Sequence, residues 1–135
     1  MKKSILILAA LFAAPAAHAQ AAVGKAPSCP VGTQYTTIRH SAVIPGKWAT
    51  FEKAVADHQA WYAKHDSTTT TTIVRMLARR GSAAPLSDSD VVTITRYADK
   101  APPPHDAGWE AFTAEYKASS TIKDEMRVCM PAMAR

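Results

Sequence analysis

Residues 33–65 read TQYTTIRHSAVIPGKWATFEKAVADHQAWYAKH, and the hydrophobic period changes once within them. Up to Ile44 the segment is rich in Thr, Tyr, Val and Ile, side chains that crowd a helix and suit a pleated strand. Pro45-Gly46 stops it. From Lys47 onward Trp48, Phe51, Val55, His58 and Tyr62 recur at steps of three and four, with Ala54 and Trp61 flanking the stripe and Lys53, Asp57 and Lys64 on the other side. That spacing predicts an amphipathic helix of about eighteen residues, ending near His65-Asp66.

Downstream, Thr68 to Thr72 followed by Ile73-Val74-Arg75-Met76 predicts a second extended run reaching Arg79, because consecutive β-branched residues favour extended backbone. Residues 80–90 have loop composition, and Val91 to Tyr97 reads as a third strand. After Pro102-Pro103-Pro104, Asp106 is placed to cap a second helix carrying Trp109, Phe112 and Tyr116. Glu125 to Met130 reads as a short last strand before Pro131. Strand, helix, strand, strand, helix, strand is the ferredoxin-like βαββαβ plan, an α+β fold with a four-stranded antiparallel sheet and two helices on one face.

Upstream, Met1-Lys2-Lys3, the apolar stretch Ser4 to Ala14 and the ending Ala17-His18-Ala19 form the pattern of a secretory signal peptide cleaved after Ala19. An uncleaved membrane anchor is the competing reading, for which the apolar stretch is short. The expected organisation is a signal peptide over 1–19, a flexible tether over 20–32, one domain over 33–130 and a tail over 131–135, in a periplasmic or secreted protein. A length of 135 residues suits one domain, and 47% hydrophobic with 20% charged residues excludes wholesale disorder and a collagen-like repeat. The excess of 16 Lys+Arg over 11 Asp+Glu shrinks once Lys2 and Lys3 are removed, and no basic tract tracks a nucleic-acid backbone. Nucleic acid is therefore not an expected partner, and no membrane span is expected after cleavage.

The two cysteines, Cys29 and Cys129, flank the domain. In an oxidising compartment they are expected to form one disulfide, and the fold plan makes the first and last strands antiparallel neighbours, which brings the two positions together. Two free thiols serving redox or metal chemistry are the alternative, without a Cys-x-x-Cys to support it.

A period of two divides the strand residues into faces. One collects Ile38, Ala42, Val74, Met76, Val92, Ile94, Met126, Val128 and Met130, and is expected to meet the helices, with His40 and Arg96 as polar exceptions. Together with His58, Trp61 and Tyr62 of the first helix and Trp109 and Tyr116 of the second, these suggest an aromatic-walled pocket. His40 and His58 are the acid/base candidates, Arg96 the holder of an oxyanion or carboxylate, and Trp61, Tyr62, Trp109 and Tyr116 the substrate-binding candidates. The competing readings make His58 a hydrogen-bonded core residue, Arg96 a side chain reaching to water and the tryptophans plain core. The other face, with Tyr35, Thr37, Arg39, Ser41, Thr93, Thr95, Glu125 and Arg127, fits a sheet-to-sheet dimer interface or a solvated surface. His58 and His65 stand about 10 Å apart along a helix axis, too far to share a metal, and no Gly-x-Ser-x-Gly, phosphate-cradling glycine loop or His-Glu-x-x-His occurs. Neither a metal nor a cofactor is expected.

Pro45-Gly46-Lys47 leading into an aromatic-bearing helix, with Tyr97 and the loop into Trp109-Glu110-Ala111-Phe112 in the second half, resembles the dimeric α/β-barrel superfamily over residues 33–130. The resemblance implies a homodimer whose sheets pair face to face, with a pocket between sheet and helices in each subunit. Members include cofactor-free monooxygenases, haem-degrading enzymes, polyketide cyclases, isomerases and proteins of no known activity, so the resemblance leaves chemistry open. The Asn/Trp/His set of the haem-degrading branch has no counterpart here. The expected function is that of an exported protein taking an aromatic or polyketide-like small molecule, as a cofactor-independent enzyme. A non-catalytic ligand- or partner-binding protein and a structural dimer are the alternatives.

Overall fold

The computed structural model describes residues 28–76, 87, 89–98 and 101–132; the expected signal peptide and residues 20–27 of the tether lie outside the described residues. The elements follow as β1 (Thr33–Val43), α1 (Trp48–Lys64), β2 (Thr70–Arg75), β3 (Asp90–Arg96), α2 (Ala107–Ser119) and β4 (Ser120–Pro131). The strands form a four-stranded sheet in the order β2-β3-β1-β4 with every pairing antiparallel. Both helices lie on one face of it. The chain has the ferredoxin-like fold.

Local chemistry explains each junction. Gly46, at φ 77°, turns the chain after β1, and the Lys47 amide donates to the Ile44 carbonyl at 2.9 Å. Asp106 caps α2 by accepting from the Trp109 amide at 3.0 Å, and the same oxygen accepts from the Trp61 indole at 2.6 Å, which ties the start of α2 to α1. Gln59 holds α1 on the edge strand: its Oε1 accepts from the Thr71 amide at 2.8 Å and its Nε2 donates to the Thr69 carbonyl at 3.2 Å. β2 ends at Arg75, short of the expected run, and Leu77 to Arg79 lie outside the described residues.

The last strand is longer than expected. Ser120 is already extended, and β-branched Thr121 and Ile122 carry the chain from helix to strand without a loop. β4 then pairs along all of β1, from Val43↔Ser120 to Thr33↔Pro131, with one irregularity between His40 and Ser41 that leaves Lys123 as the extra residue. Charged Lys123, Asp124 and Glu125 interrupt the apolar alternation there, which hid the first half of the strand. Cys29 and Cys129 form a disulfide with Cα atoms 5.6 Å apart, closing β4 onto the start of β1.

The period-two grouping survives and its orientation is reversed. Val43 of β1 and Val91 of β3 pack with Phe51 and Val55 of α1, so the face toward the helices carries Thr37, Arg39, Ser41, Thr93 and Thr95. The more apolar set, with Ile38, Val92 and Ile94 at its centre and His40 and Arg96 among it, lies on the far side, where Val74 is 39% and Met126 51% exposed. The expectation weighed apolar content alone. Hydroxyl-bearing side chains sit beneath the helices because the helices roof a cavity there instead of sealing a dry core.

Candidate functional site

A cavity of about 510 Å³ lies between the helix pair and the sheet. Its floor is the hydroxyl-rich centre of β1 and β3, with Thr37, Ser41, Thr93 and Thr95. Phe51 and His58 come from α1, Trp109, Phe112 and Tyr116 from α2, and Ile122 from β4. It borders two apolar clusters, one around Phe51 and Val91 and one around Trp61, Tyr62 and Phe112, with Tyr116 packed against both. A volume of this size suits a small organic ligand, and aromatic walls over a hydroxyl-rich floor suit a planar one that carries polar substituents.

His58 is the central polar group. It is 7% exposed, stacks on Phe112 with ring centroids 4.5 Å apart, and meets Trp109 and Tyr116 edge to face. Its Nδ1 lies 3.4 Å from the Tyr116 hydroxyl, while Nε2 is buried without a hydrogen-bond partner among the described residues. Burial, aided by the positive charge of Arg39, lowers its pKa from 6.5 to about 4, so the ring is neutral at pH 7. Burial also holds the Tyr116 phenol protonated well above its usual range, against the opposing pull of Arg39. Arg39 is anchored by Glu125, whose Oε2 accepts from Nε at 3.0 Å and Nη2 at 2.6 Å, and this pairing holds the Glu125 carboxyl below its usual range.

The depressed histidine pKa predicts acid sensitivity. Between about pH 6.5 and 4 the unfolded chain binds a proton at His58 that the folded chain refuses, so stability is full above this window and falls as pH drops through it. Urea denaturation should show a loss of about 2 kcal/mol between pH 7 and pH 5, absent in His58→Phe. The pH dependence of Glu125 belongs to a lower window, since its pKa is depressed below the carboxylate range. Parallel losses in wild type and variant would sink this account.

The structure separates the residues that the sequence grouped. His58, Trp109 and Tyr116 line the cavity. Trp61 and Tyr62 are buried behind it in the second cluster, with the Trp61 indole used by Asp106, so they support the wall from outside the lining. His40 and Arg96 lie on the opposite sheet face. There His40 Nε2 is 2.9 Å from Asp90 Oδ1, and Asp90 is also held by Lys123 at 2.6 Å and by the Ser87 hydroxyl at 2.6 Å. Arg96 Nη1 is buried without a hydrogen-bond partner among the described residues. The pairing of His40 with His58, and of Arg96 with either cavity wall, is therefore corrected: a strand residue one place along points through the other side of the sheet. Arg39, Tyr97 and Lys117 line the cavity and were not among the expected site residues. The signal for Arg39 was its place in the polar face group beside Thr37 and Ser41, once that face is known to meet the helices.

Among the described residues no group of three or more His, Cys, Asp or Glu side chains could hold a metal ion, and no helix is long and apolar enough to cross a membrane. No family model and no curated protein matches the chain. Among solved structures, the chain is similar to SnoaB, a cofactor-independent oxygenase from Streptomyces nogalater, with 20% sequence identity over 76% of this chain and 96% of that one and a TM-score of 0.48.

Proposed function

We propose that this protein binds a small, largely aromatic molecule in the cavity under its helices and acts on it as a cofactor-independent enzyme of the monooxygenase, cyclase or isomerase type, with His58 as the acid/base group. The observation that carries this reading is His58 on the wall of an aromatic-lined cavity, with an Nε2 that has no hydrogen-bond partner among the described residues. A buried polar atom without a partner costs stability unless a ligand or water completes it. With the imidazole proton on Nδ1 toward the Tyr116 hydroxyl, Nε2 presents a lone pair that can take a proton from an acidic O–H or an activated C–H of the ligand. The anion left behind forms beside Arg39, whose charge opposes an isolated imidazolium but stabilises a ligand anion. The oxyanion role first expected of Arg96 thus passes to Arg39. Trp109 and Tyr116 contact the ligand, and Trp61 and Tyr62 back the wall. No metal or added cofactor enters this scheme.

The disulfide, with the leader-like sequence ahead of it, supports an exported protein in the periplasm or outside the cell. The uncovered apolar sheet face supports a homodimer in which that face, and not the polar one, meets a second copy. Native mass spectrometry of protein purified from its own host is expected to reveal a bound small molecule. His58→Gln should lower turnover of that compound about 10²–10⁴-fold while its affinity changes by less than about tenfold. Recovery of the compound chemically unchanged would make the protein a binder, and an empty cavity in every preparation would overturn the ligand itself.

A further inference from the structure

Resting on the reading of the cavity as a ligand site, we infer that its ligand is an aromatic carboxylate, held by Arg39, with Glu125 as the internal anion that the ligand displaces. Among the described residues lining the cavity, the two with a full charge, Arg39 and Lys117, are both cations, and none is a carboxylate. Two cations at an aromatic-walled cavity select an anion on a planar body.

The way Glu125 is shared makes displacement feasible. Both donors that Arg39 gives to Glu125, Nε and Nη2, converge on one oxygen, Oε2. The other oxygen, Oε1, accepts from Arg127 Nε at 3.0 Å and lies 2.9 Å from Arg127 Nη2. Arg39 is therefore held by one carboxylate oxygen where a guanidinium matches two, and its Nη1 makes no hydrogen bond among the described residues. An incoming carboxylate can take the Arg39 fork with both oxygens. Glu125 then keeps Arg127, so neither charge is stranded. The pair is partly solvated, with Arg39 36% and Glu125 23% exposed, so the exchange does not require a buried ion to lose all its partners.

Isothermal titration of the full mature protein with 2-naphthoate and with neutral 2-naphthol at pH 7 tests the inference. Wild type is expected to bind 2-naphthoate at least about tenfold tighter than 2-naphthol. Arg39→Gln should remove that preference while 2-naphthol binding stays within about twofold, which also reports an intact fold. Glu125→Gln, which removes the competing charge, should tighten 2-naphthoate by about threefold or more and leave 2-naphthol unchanged. Equal affinity of the two probes in wild type would overturn the carboxylate inference and leave the cavity as a ligand site. Weaker 2-naphthoate binding in Glu125→Gln would make Glu125 a support for Arg39 and overturn its displacement. Failure of both probes to bind at millimolar concentration would overturn the inference together with the ligand-site reading.

Discussion

Replacing both Cys29 and Cys129 with Ser is expected to lower the stability of the domain by as much as about 4–5 kcal/mol, read from urea denaturation of the oxidised wild type against the double variant. The bridge joins positions 100 residues apart, so it closes nearly the whole domain into one loop. Loop-closure entropy removed from the unfolded chain grows only slowly with length, yet at this separation it amounts to a large share of the roughly 5–15 kcal/mol of a typical domain. The local consequence is as important. β4 is an edge strand paired to β1 alone, and Tyr35↔Cys129 lies near the open end of that ladder. Without the bridge, the end of β4 should exchange its amides first, ahead of the β1–β3 pair at the sheet centre. A loss below about 1 kcal/mol would mean that the unfolded chain gains little freedom when the bridge is cut.

Ile94→Lys is expected to convert the proposed dimer into a monomer, with the apparent dissociation constant rising at least about a thousandfold, because a symmetric interface buries the new charge twice. Ile94 pairs with Ile38 on β1 and with Thr72 on β2, at the middle of the sheet face that the helices leave uncovered. Exposed Val74 and Met126 extend that face toward its edges. A sheet with one face roofed by helices and the other apolar buries the second face against another surface. Light scattering at micromolar to about 100 μM protein distinguishes the outcomes. A wild type that stays monomeric across this range would show that the apolar face is not a self-association surface.

The cavity and the uncovered face both trace to the reversal described above, and particular residues show why the sequence could mislead. Pro45-Gly46, the stripe from Trp48 to Tyr62 and the Asp106 cap are local: each follows from backbone sterics, helical spacing or one capping hydrogen bond with partners a few residues away. His58 was legible because the helical stripe fixes its direction relative to Trp61 and Tyr62. Arg39 was not, because period two assigns it to a group without saying what that group faces. His40 was placed in the site for the same reason, being on the more apolar side, and it pairs there with Asp90, which Ser87 and Lys123 also hold.

Local chemistry along the chain was thus sufficient for the order of the six elements, the sorting of strand side chains into two sets and the meeting of Cys29 with Cys129. Which set lies beneath the helices depended on packing between distant elements. Helices and sheet leave between them a cavity lined by Thr37, Ser41, Thr93 and Thr95, and a cavity wall tolerates polar groups that a sealed core rejects. Alternation is symmetric to exchange of the two faces, so only the three-dimensional arrangement of helices and sheet breaks that symmetry.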